Sequence, residues 1–353
     1  VTGAEAIVRE AIAARGPLPF SEVVEVALYD PTHGFYAAGG RAGRRGDFLT
    51  SAEVGPLFGA VVARALDAWW RAAGEPERCT VVEAGAGPGT LARAIRAAAP
   101  ACGPALRSVL VERSGAQRAQ HDALVASAGG AVRSQAALPD EVEGPCLVLA
   151  NELLDNLPFD VVERTPDGWV EVRVDALHPD RALVEVPGRP VPGPWPDDAP
   201  VGTRLPVQRA AGEWLRGALA LVGHAPHGRV VVLDYGGPTA ELVARGPDGW
   251  LRTYRQHERG GPPLEDLGTQ DITSEVDADQ LSAVAPATRT ATQADWLAAH
   301  GIDELVEEGR RIWRERAAIG DLAAVRARSR IGEAEALRDP SGLGAFRVWE
   351  WDR

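Results

Sequence analysis

The sequence contains no lysine, and all 37 of its cations are arginines. That leaves no Ser-Tyr-Lys set and so disfavours a nicotinamide oxidoreductase. Cysteine is scarce: Cys79, Cys102 and Cys146 are odd in number, far apart and outside any CxxC pattern. This argues against a zinc site or a disulfide framework and predicts a reducing compartment. Cys79 and Cys146 lie in or beside apolar runs, so ordinary packing is their first reading. No apolar stretch approaches the roughly 20 residues that a membrane span needs. No charged segment followed by an apolar one opens the chain, so the expected location is cytoplasmic. Clustered positive charge is missing too. With 50 acidic residues the net charge is −13, which argues against nucleic acid as a partner. A solvating acidic surface explains that charge, and it also suits a basic substrate.

What is present is ordinary for a chain of 353 residues that buries a core: 45% hydrophobic and 25% charged residues. The 39 glycines and 27 prolines predict many loops. Residues 4–14 and 20–29 read as amphipathic helices, the first ended by Gly16-Pro17, the second with Ser21 as a candidate N-cap. Residues 30–51 lack periodicity, and a loop that long is either functional or disordered. Its aromatics Phe35, Tyr36 and Phe48 point to order. A helix over 53–73 follows.

From residue 79 strands and helices alternate. Strands are expected at 79–84, 107–112, 130–134, 145–150 and 229–234, completed by 286–291 and 345–351, with helices at 90–99 and 114–127. This predicts an α/β, Rossmann-like fold with a mostly parallel seven-stranded sheet covered on both faces. Between the fourth and fifth strands, FDVVER, WVEVRV and RALVEV alternate as in an antiparallel hairpin. A Pro-rich linker (188–202) and a helix (207–222) follow. Residues 159–226 are therefore read as an α+β insertion after strand four. The chain divides at this stage into a helical N-terminal extension (1–75) and a main domain (76–353).

The sharpest local motif is Glu83-Ala84-Gly85-Ala86-Gly87-Pro88-Gly89-Thr90, between a buried strand and a helix. Glycines permit positive φ and close backbone approach to a ligand. The spacing is G-x-G-x-G, one residue short of the dinucleotide fingerprint. Glu83 can receive an ammonium group. Glu112, 23 residues after Gly89, ends the second strand, where an acid accepts from a ribose diol. The ligand so described is an adenosine with a positive, non-phosphate tail, as in S-adenosylmethionine; a pyrophosphate would favour the helix dipole. Candidate contacts are Glu83, Gly85, Ala86, Gly87, Gly89, Thr90 and Glu112. A glycine-rich turn can also pack closely without a ligand, but the joint order of strand, acid, glycines, helix, strand and acid weighs for the cofactor.

Asn151-Glu152-Leu153-Leu154-Asp155-Asn156-Leu157-Pro158 follows the fourth strand directly. In a doubly wound sheet this loop borders the ligand crevice. Asn151, Glu152 and Asp155 are the catalytic candidates, with Asn151 also a cofactor contact. A carboxylate there can orient a cationic acceptor and take a proton. Helix capping remains an equal reading of Asp155.

These motifs resemble the MidA-like family of class I methyltransferases, over most of the chain from about Ser21. The resemblance rests on Tyr29-Asp30-Pro31, His33-Gly34-Phe35-Tyr36, Gly46-Asp47-Phe48, Thr50-Ser51, Glu53 and Phe58-Gly59. Asn151-Glu152, Asp155, Leu157-Pro158, Asp234-Tyr235-Gly236, Asp271-Ile272-Thr273, Val276-Asp277 and Thr292-Gln293-Ala294 continue it. Ala86 and Pro88 depart from the family's usual Pro and Arg, Ala52 from its Pro, and Trp250 from its Thr. The resemblance implies an S-adenosylmethionine-dependent methyltransferase acting on a protein arginine. It also implies that residues 30–60 form a lid over the cofactor cleft, adding Asp47, Thr50, Ser51 and Glu53 as contacts. His33 is then either a proton acceptor or a turn residue. Asp234 and Tyr235 either line the acceptor pocket or simply end a strand. A small-metabolite acceptor and a cofactor-binding assembly factor without turnover stand as alternatives, and a homodimer is left open. No metal is expected, since His224, His227 and His257 lack ligand spacing with an acid.

Overall fold

The computed structural model describes residues 2–37, 50–178, 182–255 and 258–353. Its centre is a seven-stranded sheet: β1 (Cys79–Ala84), β2 (Leu106–Val111), β3 (Val132–Gln135), β4 (Cys146–Asn151), β5 (Gly228–Asp234), β6 (Arg289–Thr292) and β7 (Arg347–Asp352). The spatial order is β6-β7-β5-β4-β1-β2-β3. Pairing is parallel from β5 through β4, β1 and β2 to β3. β7 is inserted antiparallel to both β5 and β6. The strand order reverses at β1 and β4, so a crevice opens beyond their carboxyl ends.

The sheet forms because these runs are apolar on both faces. Every residue of β1 is buried. Alternate residues point to opposite sides. Cys79, Val81, Leu147, Leu149, Val231 and Leu233 pack on one face and Val82, Ala84, Val148, Ala150, Val230 and Val232 on the other. The first face is covered by α1 (Pro56–Ala72), which begins with proline in its first turn. It buries Leu57, Phe58, Val61, Val62, Leu66 and Trp69, an i, i+3/i+4 stripe. Each such side chain stabilises the fold by about 1.5–3 kcal/mol. The second face is covered by α2 (Arg209–Gly223) through Leu215, Ala218 and Val222.

A second core lies beside the first. Helices Gly3–Arg15 and Phe20–Tyr29 share it with an antiparallel sheet built from the insertion. That sheet pairs Asp160–Thr165 with Gly168–Asp175 and Arg204–Val207, and Gly168–Asp175 also pairs Val184–Pro190. Leu18–Pro19 adds to its edge. The expected boundary at residue 75 therefore does not coincide with a change of core: residues 3–29 pack with the insertion and α1 with the main sheet.

The predicted fold class stands in its coarse form, but the sheets are mixed. Besides reversed β7, a small antiparallel sheet joins Leu251–Arg255 to Glu258–Arg259 and Asp271–Ser274. Gly236–Gly237 and Val276–Asp277 pair in parallel. These strands fall where only helix and loop were expected. They are two to five residues long, too short for period-2 patterning to show. The expected helix over 53–73 is interrupted at Gly55, and that over 114–127 divides into shorter turns.

Candidate active site

Glu83, next to the end of β1, lines the crevice, and after Ala84 the chain turns through Gly85, Gly87 and Gly89 at φ of 68°, 52° and 81°. At Gly85 a β-carbon would come within 3.0 Å of Leu153 Cδ1, while beyond Gly87 nothing lies within 4 Å. The loop is thus pressed against the β4 loop at one glycine and open at the other. Two side chains, each held in turn by a further hydrogen bond, fix it from behind. Gly87 N–H donates to Glu112 Oε2 at 2.9 Å and Ser114 N–H to Glu112 Oε1 at 2.7 Å. Buried His121 bridges Gly87 O and Ser134 Oγ, each at 2.8 Å. A carbonyl can only accept, so Nε2 carries the proton and Nδ1 accepts from Ser134. His121 went unremarked in the sequence because only the tertiary fold brings it beneath the loop.

A cavity of about 490 Å³ opens there, lined by Glu83, Gly85, Ala86, Gly87, Thr90, Glu112, Asn151 and Glu152, with Tyr29, Tyr36 and Thr50 among the other wall residues. Of the expected cofactor contacts, Gly89 instead caps the following helix in the left-handed conformation. Ser51 is fully buried off the wall: its hydroxyl donates to Gln293 Oε1 at 2.9 Å and its N–H to Glu152 Oε1 at 2.8 Å. It holds Glu152 in place. Asp47 lies outside the described residues. His33 is a turn residue whose N–H donates to Asp30 Oδ1.

Glu152 adopts φ of 53°, a left-handed conformation costly for a residue with a β-carbon. Its Oε1 also accepts from Asn151 Nδ2 at 3.1 Å. Its side chain borders both the first cavity and a second, of about 680 Å³. Asp155, Tyr235, Asp271 and Thr273 line that second cavity. Tyr235 donates to Asp155 Oδ2 at 2.7 Å and Thr273 to the same oxygen at 2.8 Å. Among the described residues the other oxygen, Asp155 Oδ1, is buried without a hydrogen-bond partner, and so is Asn151 Oδ1. Asp271 Oδ1 accepts from Asn156 Nδ2 at 3.0 Å and Tyr36 Oη at 3.3 Å. Asp155 therefore does not cap a helix through its side chain. Asp234 anchors the turn: its Oδ2 accepts from the N–H groups of Leu153, Leu154 and Asp155, and its Oδ1 from Tyr235 N–H.

Burial pushes Glu83 and Glu152 up to about 8 and Asp271 up to about 7. It also raises Glu112 and Asp155, and lifts Asp234 well above the carboxylate range with help from Asp155 and Glu152. Among the described residues no ion pair within 4 Å reaches Glu152, Asp155, Asp234 or Asp271. Asp155, Asp234 and Asp271 are buried and Glu152 is half-buried; carboxylates so placed without a cation are costly, a cost that a positively charged occupant would relieve.

Residues 61–296 match the model of a family of S-adenosyl-L-methionine-dependent methyltransferases. The chain belongs to this MidA-like family. It is 30% identical to a methyl transferase-like protein from Burkholderia thailandensis solved bound to S-adenosyl-homocysteine, with a TM-score of 0.82 over 99% of this chain and 92% of that one. Curated relatives include the mitochondrial protein arginine methyltransferase NDUFAF7 homolog of Drosophila melanogaster, 27% identical over 78% of this chain and 68% of its own length. The Xenopus tropicalis counterpart is 27% identical over 83% and 74%. The protein is a class I, S-adenosylmethionine-dependent methyltransferase. Its residues fit that cofactor: Gly87 leaves its backbone open, Asn151 Oδ1 is an unpartnered acceptor on the cleft wall, and Glu83 and Glu112 supply carboxylates at its two ends.

Proposed function

We propose that the enzyme methylates a guanidinium nitrogen of arginine in a protein substrate. The observation that carries this reading is the unpartnered, buried Asp155 Oδ1 in a cavity that meets the cofactor cleft at Glu152. A guanidinium is planar, always charged and rich in donors, so it matches a pocket that has acceptors and no cation on its floor. The NDUFAF7 relatives carry the name protein arginine methyltransferase, which supports the same acceptor.

S-adenosylmethionine, when bound, supplies an activated methyl group on a sulfonium. Glu112 would accept from the ribose hydroxyls, Glu83 and Asn151 Oδ1 from the amino-acid end, and Gly85, Ala86, Gly87 and Thr90 would border it. Glu152 and Asp155 Oδ1 would hold two N–H groups of the acceptor, so that its nitrogen faces the methyl in line. The proton that this nitrogen sheds would pass to Glu152, whose raised affinity for protons suits a base working near neutrality. Ser51 and Asn151 position that carboxylate. Thr50, on the cavity wall, would belong to the expected lid, of which residues 38–49 lie outside the described residues. A cytoplasmic setting belongs to this proposal, to be checked by fractionation, since the curated relatives carry mitochondrial names.

The test is transfer of labelled methyl to arginine peptides by the wild type and by Glu152→Gln. Loss of a proton acceptor lowers kcat by about 10²–10⁴-fold, while cofactor affinity should stay near that of the wild type. Undiminished turnover by Glu152→Gln would remove Glu152 from the chemistry. Label confined to small molecules would replace the protein acceptor with a metabolite.

A further inference from the structure

The second cavity has two chemically opposite ends. Its floor is acidic, formed by Glu152, Asp155 and Asp271, but three arginines, Arg245, Arg252 and Arg347, line its rim. Each is placed by the fold. Arg252 sits opposite Thr273 in the small sheet that also carries Asp271. Arg347 opens the reversed strand β7, and the register pairs it with Asp234 at the carboxyl end of β5. Were β7 parallel, its first residue would lie at the far edge of the sheet.

The charges at the rim do not cancel. Buried Glu275 takes both Arg245 and Arg252, the latter at 2.5 Å. Glu241 takes Arg245 at 2.7 Å, and Arg347 only at 3.9 Å. Arg252 is further fixed by donation to Gly249 O at 3.0 Å and lies over the Tyr235 ring at 5.6 Å. Three guanidiniums thus face two carboxylates. Arg347 is the least compensated: its guanidinium meets Glu241 only at 3.9 Å, makes no side-chain hydrogen bond among the described residues, and 40% of its side chain is exposed.

A rim of this sign opposes entry of a bare cation, though the floor below requires one. We infer that the rim is a carboxylate anchor: the substrate carries an acidic side chain beside the arginine to be methylated, and Arg347 binds it. This rests on the arginine reading above. A guanidinium plane presents paired donors to a carboxylate in a fixed geometry, and Arg252 gives a second, already oriented face. Like charge beside the target arginine is rejected by the same residues.

Three peptides with one arginine and Glu, Gln or Lys beside it, and free arginine, would be compared for labelled methyl transfer. The wild type should favour the Glu peptide over the Lys peptide by at least about tenfold in kcat/KM, mostly through KM. Arg347→Glu should reverse that order. Cofactor affinity checks that the variant is folded, and Arg347→Gln, polar but shorter and uncharged, should flatten the order if the charge swap fails to fold. Equal transfer to all three peptides, or an order unchanged in both variants, overturns the anchor and leaves the arginine reading intact. Free arginine methylated in preference to every peptide overturns the side-chain carboxylate in favour of an α-carboxylate. No label on any arginine compound overturns both readings.

Discussion

Two residues concentrate the strain and the unmet hydrogen bonding of the site. Glu152 is held at positive φ by Ser51 N–H and Asn151 Nδ2, and Asp155 keeps a buried oxygen without a donor. A fold tolerates such costs where ligands relieve them. Glu112 belongs to the same scale. It accepts from two backbone N–H groups and lines the cleft, and a carboxylate so bonded has acceptor capacity left for a ligand. Glu112→Ala removes a charged acceptor worth about 1.5–3 kcal/mol, so calorimetric titration should find cofactor affinity weakened by roughly tenfold or more. An unchanged affinity would place the ribose elsewhere.

At the scale of elements, the site is a meeting of two loops, each tied to its own strand. The glycine loop is secured by Glu112 and His121, and the turn after β4 by Asp234. The Leu154–Asn156 turn is a single 3-10 turn, too short to hold itself. The N–H groups of Leu154 and Asp155, and of Leu153 before them, depend on one carboxylate from the neighbouring strand. Asp234→Ala leaves several buried donors unpaired, at an expected cost on the order of 1–3 kcal/mol, seen as a lower denaturant midpoint. Asp234→Asn should lose less, since its carbonyl oxygen still accepts. Equal stability of all three proteins would show that the turn holds without this anchor. In the sequence, Asp234 was as readily a pocket residue as a strand end, and only the register of β5 beside β4 makes it the anchor of the next loop.

The whole molecule carries an excess of buried acid. Glu83, Glu152 and Asp271 bind protons more tightly folded than unfolded. Their stabilising contribution is complete below the ordinary carboxylate range, near pH 4, and is lost as pH rises through about 7–8. Thermal unfolding without cofactor should therefore show Tm falling between about pH 5 and pH 8, and added S-adenosylmethionine should recover part of the loss at the upper end by binding the folded state. A Tm that rises across this interval in the ligand-free protein would contradict the proton affinities of these groups.

Sequence alone determined the parts whose signal is local. Apolar runs of six residues marked β1, β2, β4 and β5, because a strand buried on both faces has nothing else to display. Glycines at 85, 87 and 89 marked the tight turn, because few other residues accept its φ values. The acids at the ends of β1, β2 and β4 were legible because strand ends in such a sheet border its crevice. Tertiary structure alone decided the rest. It joined the N-terminal helices to the insertion in one core, reversed β7 so that Arg347 meets β5, and placed His121, Tyr36, Thr273 and Asp271 around groups up to 235 residues away in the chain. It also separated Ser51 from the cleft it was expected to line. No periodicity records these choices, since each is a contact between segments, fixed by which faces bury each other.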